Sequence, residues 1–388
     1  MNDEKNALDY KIKALEIQQK LFSKDHGIHI EIAKSYFSIG SSYERNGELK
    51  KALEYFKKSL EVKLKLYKND DNSDIADSFS SVSSVLCRLG EYKKALNFEK
   101  QAFEMRNRIY HGEHVSVAIS FTNLGLIYLK QSEFRKAFEN FKLALDLRKK
   151  LYNENNHAEI AESLNNLANV YCRLSDHKKA FHYYKQALDM NIKLYEGDHL
   201  SIATCLNNLA NSFSQLKDDQ KSLDYYKQAL AMRQRIYQKD HRDVAESINC
   251  LSYVYEKLGD DKKALEYKLE ALEMRRRLLI ELDIADSLSG VSKFYKKLGD
   301  DKKAFDFCIQ ALELRQKINP EDNEELAESL DSCGVFYSRF DDNKKGLDFK
   351  IRSLEMRHRL FKTDHPSIVE SLNSVAGMFK IFQKKYFC

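Results

Sequence analysis

The fold of this chain is decided by a 42-residue stretch, EIAESLNNLANVYCRLSDHKKAFHYYKQALDMNIKLYEGDHL, at Glu159–Leu200. Apolar residues in its first half recur at i, i+3, i+4 and i+7, the spacing of one helical face; they are Leu164, Leu167, Ala168 and Tyr171. After a polar turn at 174–176, helical spacing resumes at Ala180, Phe181, Tyr184, Ala187 and Leu188. Each predicted helix is apolar on one face only, so the hairpin must bury that face against other helices.

Copies of this stretch run from one end of the chain to the other. The alanine before the first apolar face recurs every 40–43 residues, at Ala33, Ala76, Ala118, Ala161, Ala203, Ala245, Ala285 and Ala327, with Val369 ninth. A register residue marks each second helix: Leu53, Leu96, Phe138, Phe181, Leu223, Leu265, Phe305 and Leu347. Each hairpin packs against its neighbours, so such an array needs no single central core. The sequence therefore predicts an all-α stack of helical hairpins.

The charge balance argues against several classes of partner. The chain has 64 basic and 59 acidic side chains and a net charge of +5, and its pI of about 8.5 is low for a nucleic-acid-binding domain. In seven second helices an acid lies four residues before a base, from Glu61–Lys65 to Glu355–Arg359, which predicts ion pairs on a solvated face. No apolar run approaches the length of a membrane span, and MNDEKNALDY has no apolar signal-peptide core. We expect no nucleic-acid partner, no membrane partner and a cytoplasmic location.

No motif for catalysis or metal binding stands out. The seven cysteines include no CxxC pair, Cys308 takes an aromatic core place, and scattered thiols are typical of a reducing compartment. Histidines recur once per repeat at one loop position and so cannot converge on one metal; they are His26, His114, His157, His199, His241 and His365. Phosphate-cradling glycine motifs and nucleophile signatures are lacking. We expect no enzymatic activity, no cofactor and no metal.

The repeat resembles the tetratricopeptide repeat (TPR) in the spacing Leu164-x-x-Leu167-Ala168-x-x-Tyr171, followed by Ala180, Tyr184 and Ala187. The 42-residue period, the LNNLA cores at 164–168 and 206–210, and Gly197-Asp198-His199 are similar to the kinesin-light-chain type. The resemblance implies a right-handed α-solenoid of TPR hairpins and covers residues 1–388 as one domain. In it, 1–29 form an orphan second helix, 30–366 eight helical hairpins and 367–388 a terminal first helix. Kinesin light chains carry a heptad coiled coil before their repeats, whereas the residues before Ile30 in this chain show no sustained heptad pattern.

The resemblance also implies a binding groove, because first helices line the concave face of TPR arrays. A polar stripe beside the apolar face of each first helix would then meet a ligand, and Asn123, Asn166 and Asn208 match the family asparagine that bonds peptide backbone. An amide both donates and accepts, and Lys or Arg one turn further on favours acidic groups. The candidate peptide-binding residues are Asn123, Lys130, Asn165, Asn166, Asn169, Arg173, Asn207, Asn208, Asn211, Asn249 and Lys257. The alternative is that these asparagines bond between adjacent repeats and the bases are solvated.

We therefore expect a non-catalytic scaffold that binds an extended, acidic segment of another protein, centred on repeats three to five. Two alternatives follow from the resemblance: a kinesin-light-chain-like cargo adaptor, and the regulatory TPR region of a larger signalling ATPase or enzyme. The sequence shows no polar capping helix at either end of the predicted array. The last predicted helix carries the apolar residues Phe379, Phe382 and Phe387. The sequence thus also predicts either a fragment of a longer protein or self-association through uncapped ends.

Overall fold

The computed structural model describes residues 2–22, 30–68, 70–361 and 365–386. These residues form eighteen α-helices and no β-strand: α1 (Asn2–Phe22), α2 (Ile30–Arg45), α3 (Leu49–Leu66), α4 (Ser73–Arg88), α5 (Tyr92–Tyr110), α6 (Val115–Lys130), α7 (Phe134–Leu151), α8 (Ala158–Arg173), α9 (His177–Leu194), α10 (Leu200–Gln215), α11 (Asp219–Tyr237), α12 (Arg242–Lys257), α13 (Asp261–Arg277), α14 (Glu281–Lys297), α15 (Asp301–Ile318), α16 (Glu324–Arg339), α17 (Asn343–Leu360) and α18 (Pro366–Tyr386). The predicted all-α fold is confirmed, while its right-handed twist stays a prediction.

The chain divides into two compact units, Met1–Glu196 and Gly197–Cys388. In unit 1, α1 packs on α2, and the hairpins are α2–α3, α4–α5, α6–α7 and α8–α9. In unit 2, the hairpins are α10–α11, α12–α13, α14–α15 and α16–α17, and α18 packs on α17. Within each unit the second helix of one hairpin packs against the first helix of the next. The prediction of a single domain over 1–388 stays a prediction.

Recurring histidines begin four of the first helices. His114, His157, His199 and His241 are the N-cap residues of α6, α8, α10 and α12, and in each the ring accepts a hydrogen bond from the backbone N–H two residues later. The ring of His157 also stacks on Tyr152, with centroids 3.6 Å apart. Asn72 and Asn323 cap α4 and α16 with their side-chain oxygens. These loop histidines are helix caps, as their regular recurrence indicates, and His26 lies outside the described residues.

One residue per second helix, three positions after the register residue, lies between two helices; we call it the core position. Its occupants are Phe56, Glu99, Phe141, Tyr184, Tyr226, Lys268, Cys308 and Lys350, and all are buried except the half-buried Lys268. The two phenylalanines lie against glycines of the preceding first helix, because a Cβ on Gly125 would be 2.7 Å from the ring of Phe141. Large rings therefore fill some hairpins, whereas charged or small groups occupy the same place in others.

A buried base on the second helix ties hairpins together within each unit. In α7, Arg148 is 2 % exposed and donates to the Ser163 hydroxyl of α8 at 2.7 Å. The equivalent pairs are Lys63–Ser78, Arg106–Ser120, Arg233–Ser247, Arg275–Ser287, Arg315–Ser329 and Arg357–Ser371. A buried guanidinium needs such acceptors, since an unpaired buried charge is costly. These hydrogen bonds therefore stabilise one particular packing arrangement of neighbouring hairpins.

The surface ion pairs differ from those that the sequence predicts. Of the seven predicted i, i+4 pairs, all within the described ranges, only Glu61–Lys65 forms, at 2.6 Å. Most of the other bases reach an acid about 37 residues earlier, in the loop before the first helix of the same hairpin or at the start of that helix; the pairs are Arg108–Asp71, Lys150–Glu113, Arg277–Asp240, Lys317–Glu281 and Arg359–Asp322. Folding of each hairpin brings these acids close to the bases, so the other i, i+4 predictions were wrong about the partners although most of the bases are paired. No helix in the part of the chain that the structure describes is long and apolar enough to cross a membrane.

Candidate functional site

The predicted peptide-binding asparagines of unit 1 lie on α6 and α8, and several are already hydrogen-bonded. Asn123 donates its amide to Glu99 of the preceding hairpin at 3.2 Å. Asn169 accepts the hydroxyl of Tyr184 at 2.5 Å. Asn165 and Asn166 are half-buried, and Asn165 also has a partner within the chain. The amide stripe is therefore used in part to hold the helices together.

The bases that occupy the repeat position of Lys130 and Arg173 on the first helices fall into two groups. Arg88, Lys297 and Arg339 form ion pairs with Glu44, Asp261 and Asp301. Lys130 and Arg173 occupy the same place in the repeat on α6 and α8, are exposed, and have no ion pair with any residue in the described ranges. Unit 1 thus presents two bases that no acid among the described residues neutralises.

The remaining predicted residues lie in unit 2, on α10 and α12. Asn207 is half-buried, and within the described ranges its Oδ1 has no hydrogen-bond partner; Asn208 is half-buried and Asn211 is exposed. Asn249 accepts from Lys268 at 2.8 Å. Lys257 donates to the Ser214 hydroxyl at 2.9 Å and lies over the ring of Tyr253. Asn249 and Lys257 are therefore engaged within their own unit.

In unit 1, a cleft of about 190 Å³ opens between successive first helices. We call it the α4–α6 cleft; it is lined by Ser80, Ser83, Ser84, Cys87, Arg88, Glu99, Asn123, Leu126, Ile127 and Lys130. Two of the predicted site residues, Asn123 and Lys130, lie on its wall. Its lining joins an exposed base, an apolar surface at Leu126 and a buried carboxyl group.

Glu99 at this cleft is an unusual group for the core position. It is fully buried, and its Oε1 accepts from Ser80 at 3.1 Å and from Asn123 at 3.2 Å, whereas its Oε2 has no hydrogen-bond partner among the described residues. Burial raises the pKa of this carboxyl group, against the opposing effects of Asn123 and the Arg106 charge. The cleft therefore has an incompletely satisfied acid in its wall.

An equivalent cleft of about 180 Å³ exists in unit 2. This α14–α16 cleft is lined by Ser289, Ser292, Lys293, Lys296, Cys308, Arg315, Glu328, Ser329, Asp331, Ser332, Val335 and Phe336. Here the core position is Cys308, and its sulfur lies 2.9 Å from that of Cys333 on α16. Both cysteines are free thiols, and the sequence spacing did not indicate that stacking brings their sulfurs together.

The core-position groups were not among the predicted site residues, although the sequence carries a signal for them. Aligning the repeats places aromatic residues such as Tyr184 at this position, so Glu99, Lys268 and Lys350 break an otherwise apolar pattern. Several of their contacts are made with the first helix that follows, at positions about 25 residues later in the chain, and such contacts depend on how the helices stack. Among the described residues, no group of three or more His, Cys, Asp or Glu could hold a metal ion.

Together these features define the class: a helical repeat protein whose first helices carry a polar surface with clefts. A family model described as "Tetratricopeptide repeat" matches residues 31–108, 74–150, 159–235 and 220–277. The chain therefore belongs to the tetratricopeptide repeat family. Members of this family generally mediate protein interactions and are generally not catalytic. No curated protein matches this chain.

Solved structures with similar folds come from several kinds of protein. BtubC (BKLC) from P. vanneervenii is 21% identical with a TM-score of 0.51, covering 60% of this chain and 92% of BtubC. The apo form of RapI is 18% identical with a TM-score of 0.55, covering 74% of this chain and 98% of RapI. A signal transduction ATPase with a tetratricopeptide repeat sensor, from Pyrococcus horikoshii, is 14% identical with a TM-score of 0.59, covering 90% of this chain and 49% of that one. At these identities the similarity concerns the fold alone, so the cargo-adaptor and ATPase-regulator alternatives gain no support.

Proposed function

We propose that this protein is a non-catalytic scaffold that binds an extended, acidic segment of another protein on the first-helix surface of unit 1. The observation that carries the proposal is the pair of exposed bases, Lys130 and Arg173, which occupy one position of successive repeats without an acidic partner among the described residues. An acidic ligand would supply the missing counter-charges. Equivalent bases elsewhere are already paired, as in Arg88–Glu44 and Arg339–Asp301.

Neighbouring residues support an extended ligand. Leu126 on α6 is 42% exposed and lies on the wall of the α4–α6 cleft beside Lys130, so it offers an apolar contact. Asn166 on α8 is half-buried and has an amide that both donates and accepts. In the same proposal, Asn123 and Asn169 orient Glu99 and Tyr184 instead of binding the ligand backbone. In unit 2, Asn207, Asn208 and Asn211 stay predicted ligand contacts.

The test uses fluorescence anisotropy with a fluorescein-labelled peptide of alternating Glu and Ser residues. Replacing both Lys130 and Arg173 by Ala should weaken binding roughly tenfold, because two charge contacts are lost. Binding should also weaken as salt concentration rises. Asn166→Ala should produce a smaller loss, since one neutral hydrogen bond is removed.

The matched control removes bases that occupy the same repeat position but are engaged within the chain. Lys257→Ala and Arg339→Ala should leave the affinity within about twofold, since these bases already have partners. Equal affinity of wild type and the Lys130/Arg173 double variant would contradict the proposal. An equal loss in the controls would mean that only the overall charge attracts the peptide.

Self-association through the terminal helices stays a separate proposal. On α1, Tyr10, Ile17 and Leu21 are exposed, and on α18 Val369, Leu372 and Phe379 are exposed; apolar faces of this kind are typical of interaction surfaces. Phe382 and Phe387 lie among residues whose side chains are not described. Size-exclusion chromatography with light scattering at two protein concentrations should show a concentration-dependent mass, and a constant monomer mass would contradict it.

A further inference from the structure

Two buried thiols meet at the joint between the last two hairpins of unit 2. Cys308 on α15 and Cys333 on α16 place their sulfur atoms 2.9 Å apart, and they are 4% and 0% exposed. This distance is shorter than ordinary contact between two sulfur atoms, and the sulfurs need to approach by less than about 1 Å to reach the bond length of a disulfide. The two helices are thus already positioned for a covalent link.

The same joint in an earlier hairpin of unit 2 is packed differently. There the core position is Tyr226, and the residue equivalent to Cys333 is Leu251; both belong to one buried apolar cluster. Cys308 and Cys333 replace this large pair with two small side chains. Cys308 is one of the residues that line the α14–α16 cleft, so a small oxidant in that cleft meets Cys308 before Cys333.

We propose that Cys308 and Cys333 form an intramolecular disulfide when the protein meets a peroxide, so that this pair is a redox modification site joining repeats seven and eight. The sulfur of Cys308 attacks one oxygen of hydrogen peroxide, the O–O bond breaks, and a sulfenic acid and one water form. The sulfur of Cys333 then attacks the sulfenic sulfur. The hydroxyl group leaves with the Cys333 proton as a second water, and the two thiols are oxidised while one peroxide is reduced.

The order of the two steps follows from the surroundings of each thiol. Cys308 lines the cleft, whereas Cys333 is fully buried and is not part of the cleft wall. The hydrogen bond to Cys308 and burial raise the pKa of the Cys333 thiol. Cys333 therefore keeps its proton until the sulfenic acid forms beside it, as a resolving thiol does.

The test begins with full-length protein from which reductant has been removed. It is treated with hydrogen peroxide, blocked with N-ethylmaleimide, and digested with trypsin. Cleavage after Lys303, Arg315, Lys317 and Arg339 places each cysteine alone, in peptides 304–315 and 318–339. The expected product is these two peptides joined, two hydrogens lighter than their sum. Thermal unfolding of the oxidised protein should occur roughly 5 °C higher, because the bond closes a 25-residue separation.

A matched control separates this pair from general thiol oxidation. Cys250→Ser should keep both the cross-link and the thermal shift, whereas Cys308→Ser and Cys333→Ser should lose both. Circular dichroism confirms that each variant folds, and mass spectrometry of the wild type decides the proposal even if one does not. Recovery of Cys308 and Cys333 as separate maleimide adducts after peroxide treatment, or a disulfide to another cysteine instead, would overturn it. A lower unfolding temperature in the cross-linked protein would show that the reduced geometry does not accommodate the bond.

Discussion

The α4–α6 cleft of unit 1 and the α14–α16 cleft of unit 2 occupy the same place in the repeat but differ in the group at the core position. In the first, Glu99 is a buried acid that accepts hydrogen bonds from Ser80 and Asn123. In the second, Cys308 is a buried thiol beside Cys333. One backbone arrangement thus carries an acid–amide contact in one unit and a thiol pair in the other.

Comparison with the other hairpins explains how this difference arises. Where the core position is Phe56 or Phe141, the facing residue is Gly40 or Gly125. Where it is Tyr184 or Tyr226, the facing residue is an alanine at position 168 or 210. Facing Glu99, Lys268 and Cys308 are serines, namely Ser83, Ser252 and Ser292, each of which donates to a backbone carbonyl of the second helix. The residue type at the core position and the residue type facing it therefore match within each hairpin. Each hairpin can thus carry a different pair while the stacking of the hairpins stays the same.

The largest loss of stability is expected from adding a side-chain atom to a hairpin whose core position is already filled by an aromatic ring. Gly125→Ala would place a Cβ 2.7 Å from the ring of Phe141, and the ring has no space to withdraw because Phe141 is 1% exposed. We expect the free energy of unfolding to fall by about 2–3 kcal/mol in urea unfolding. Gly377→Ala is the control, since nothing lies within 4 Å of its new Cβ, and it should be neutral or stabilising by up to about 1 kcal/mol. Equal effects would refute the steric argument.

A second variant tests the amide at the first cleft. Asn123→Ala removes a donor from buried Glu99, and the free energy of unfolding should fall by about 1–2 kcal/mol because a buried acceptor loses its partner. Ser332→Ala changes the same repeat position at the second cleft and should cost less than about 0.5 kcal/mol. Similar losses in both variants would mean that the two clefts do not differ in this respect.

The acid itself should show in the pH dependence of stability. Because burial raises the pKa of Glu99 in the folded state, its stabilising contribution is complete below the unfolded-state pKa of about 4.3 and is lost as pH rises through the folded-state pKa. Wild type should therefore lose more stability than Glu99→Gln as pH rises from 5 to 8. Glu61→Gln is the control: Lys65 lowers the pKa of Glu61, so the contribution of Glu61 is lost only as pH falls through its folded-state pKa, and this variant should run close to wild type from pH 5 to pH 8. Parallel curves for wild type and Glu99→Gln would contradict the assignment.

The smallest effect concerns the caps of the two cleft helices. His114 caps α6 and Asn323 caps α16, each by accepting a backbone N–H. His114→Ala should lower the free energy of unfolding by about 0.5–1 kcal/mol, whereas His114→Asn should stay close to wild type. If His114→Asn were as harmful as His114→Ala, stacking of the ring on Tyr110, at 4.0 Å between centroids, would be the more important contribution.

The helices and their repeat were predictable because the apolar period and the turn residues are local properties of the chain. The loop histidines were correctly predicted to be structural for the same reason, since a cap contacts backbone only two residues away. The predicted surface ion pairs were wrong except for Glu61–Lys65; Arg277, for example, reaches Asp240 and not the acid four residues before it. Of the proposed ligand bases, the sequence could not separate Arg173, which lacks an ion pair among the described residues, from Lys257, which is bonded to Ser214.

The sequence alone determined that this chain is a stack of tetratricopeptide hairpins, because each repeat carries its own helical period, turn and small packing residues. The tertiary structure decided which side chains meet, because contacts between hairpins join residues of different repeats and depend on how the helices stack. That is why Glu99 with Asn123, and Cys308 with Cys333, became visible only in the folded chain.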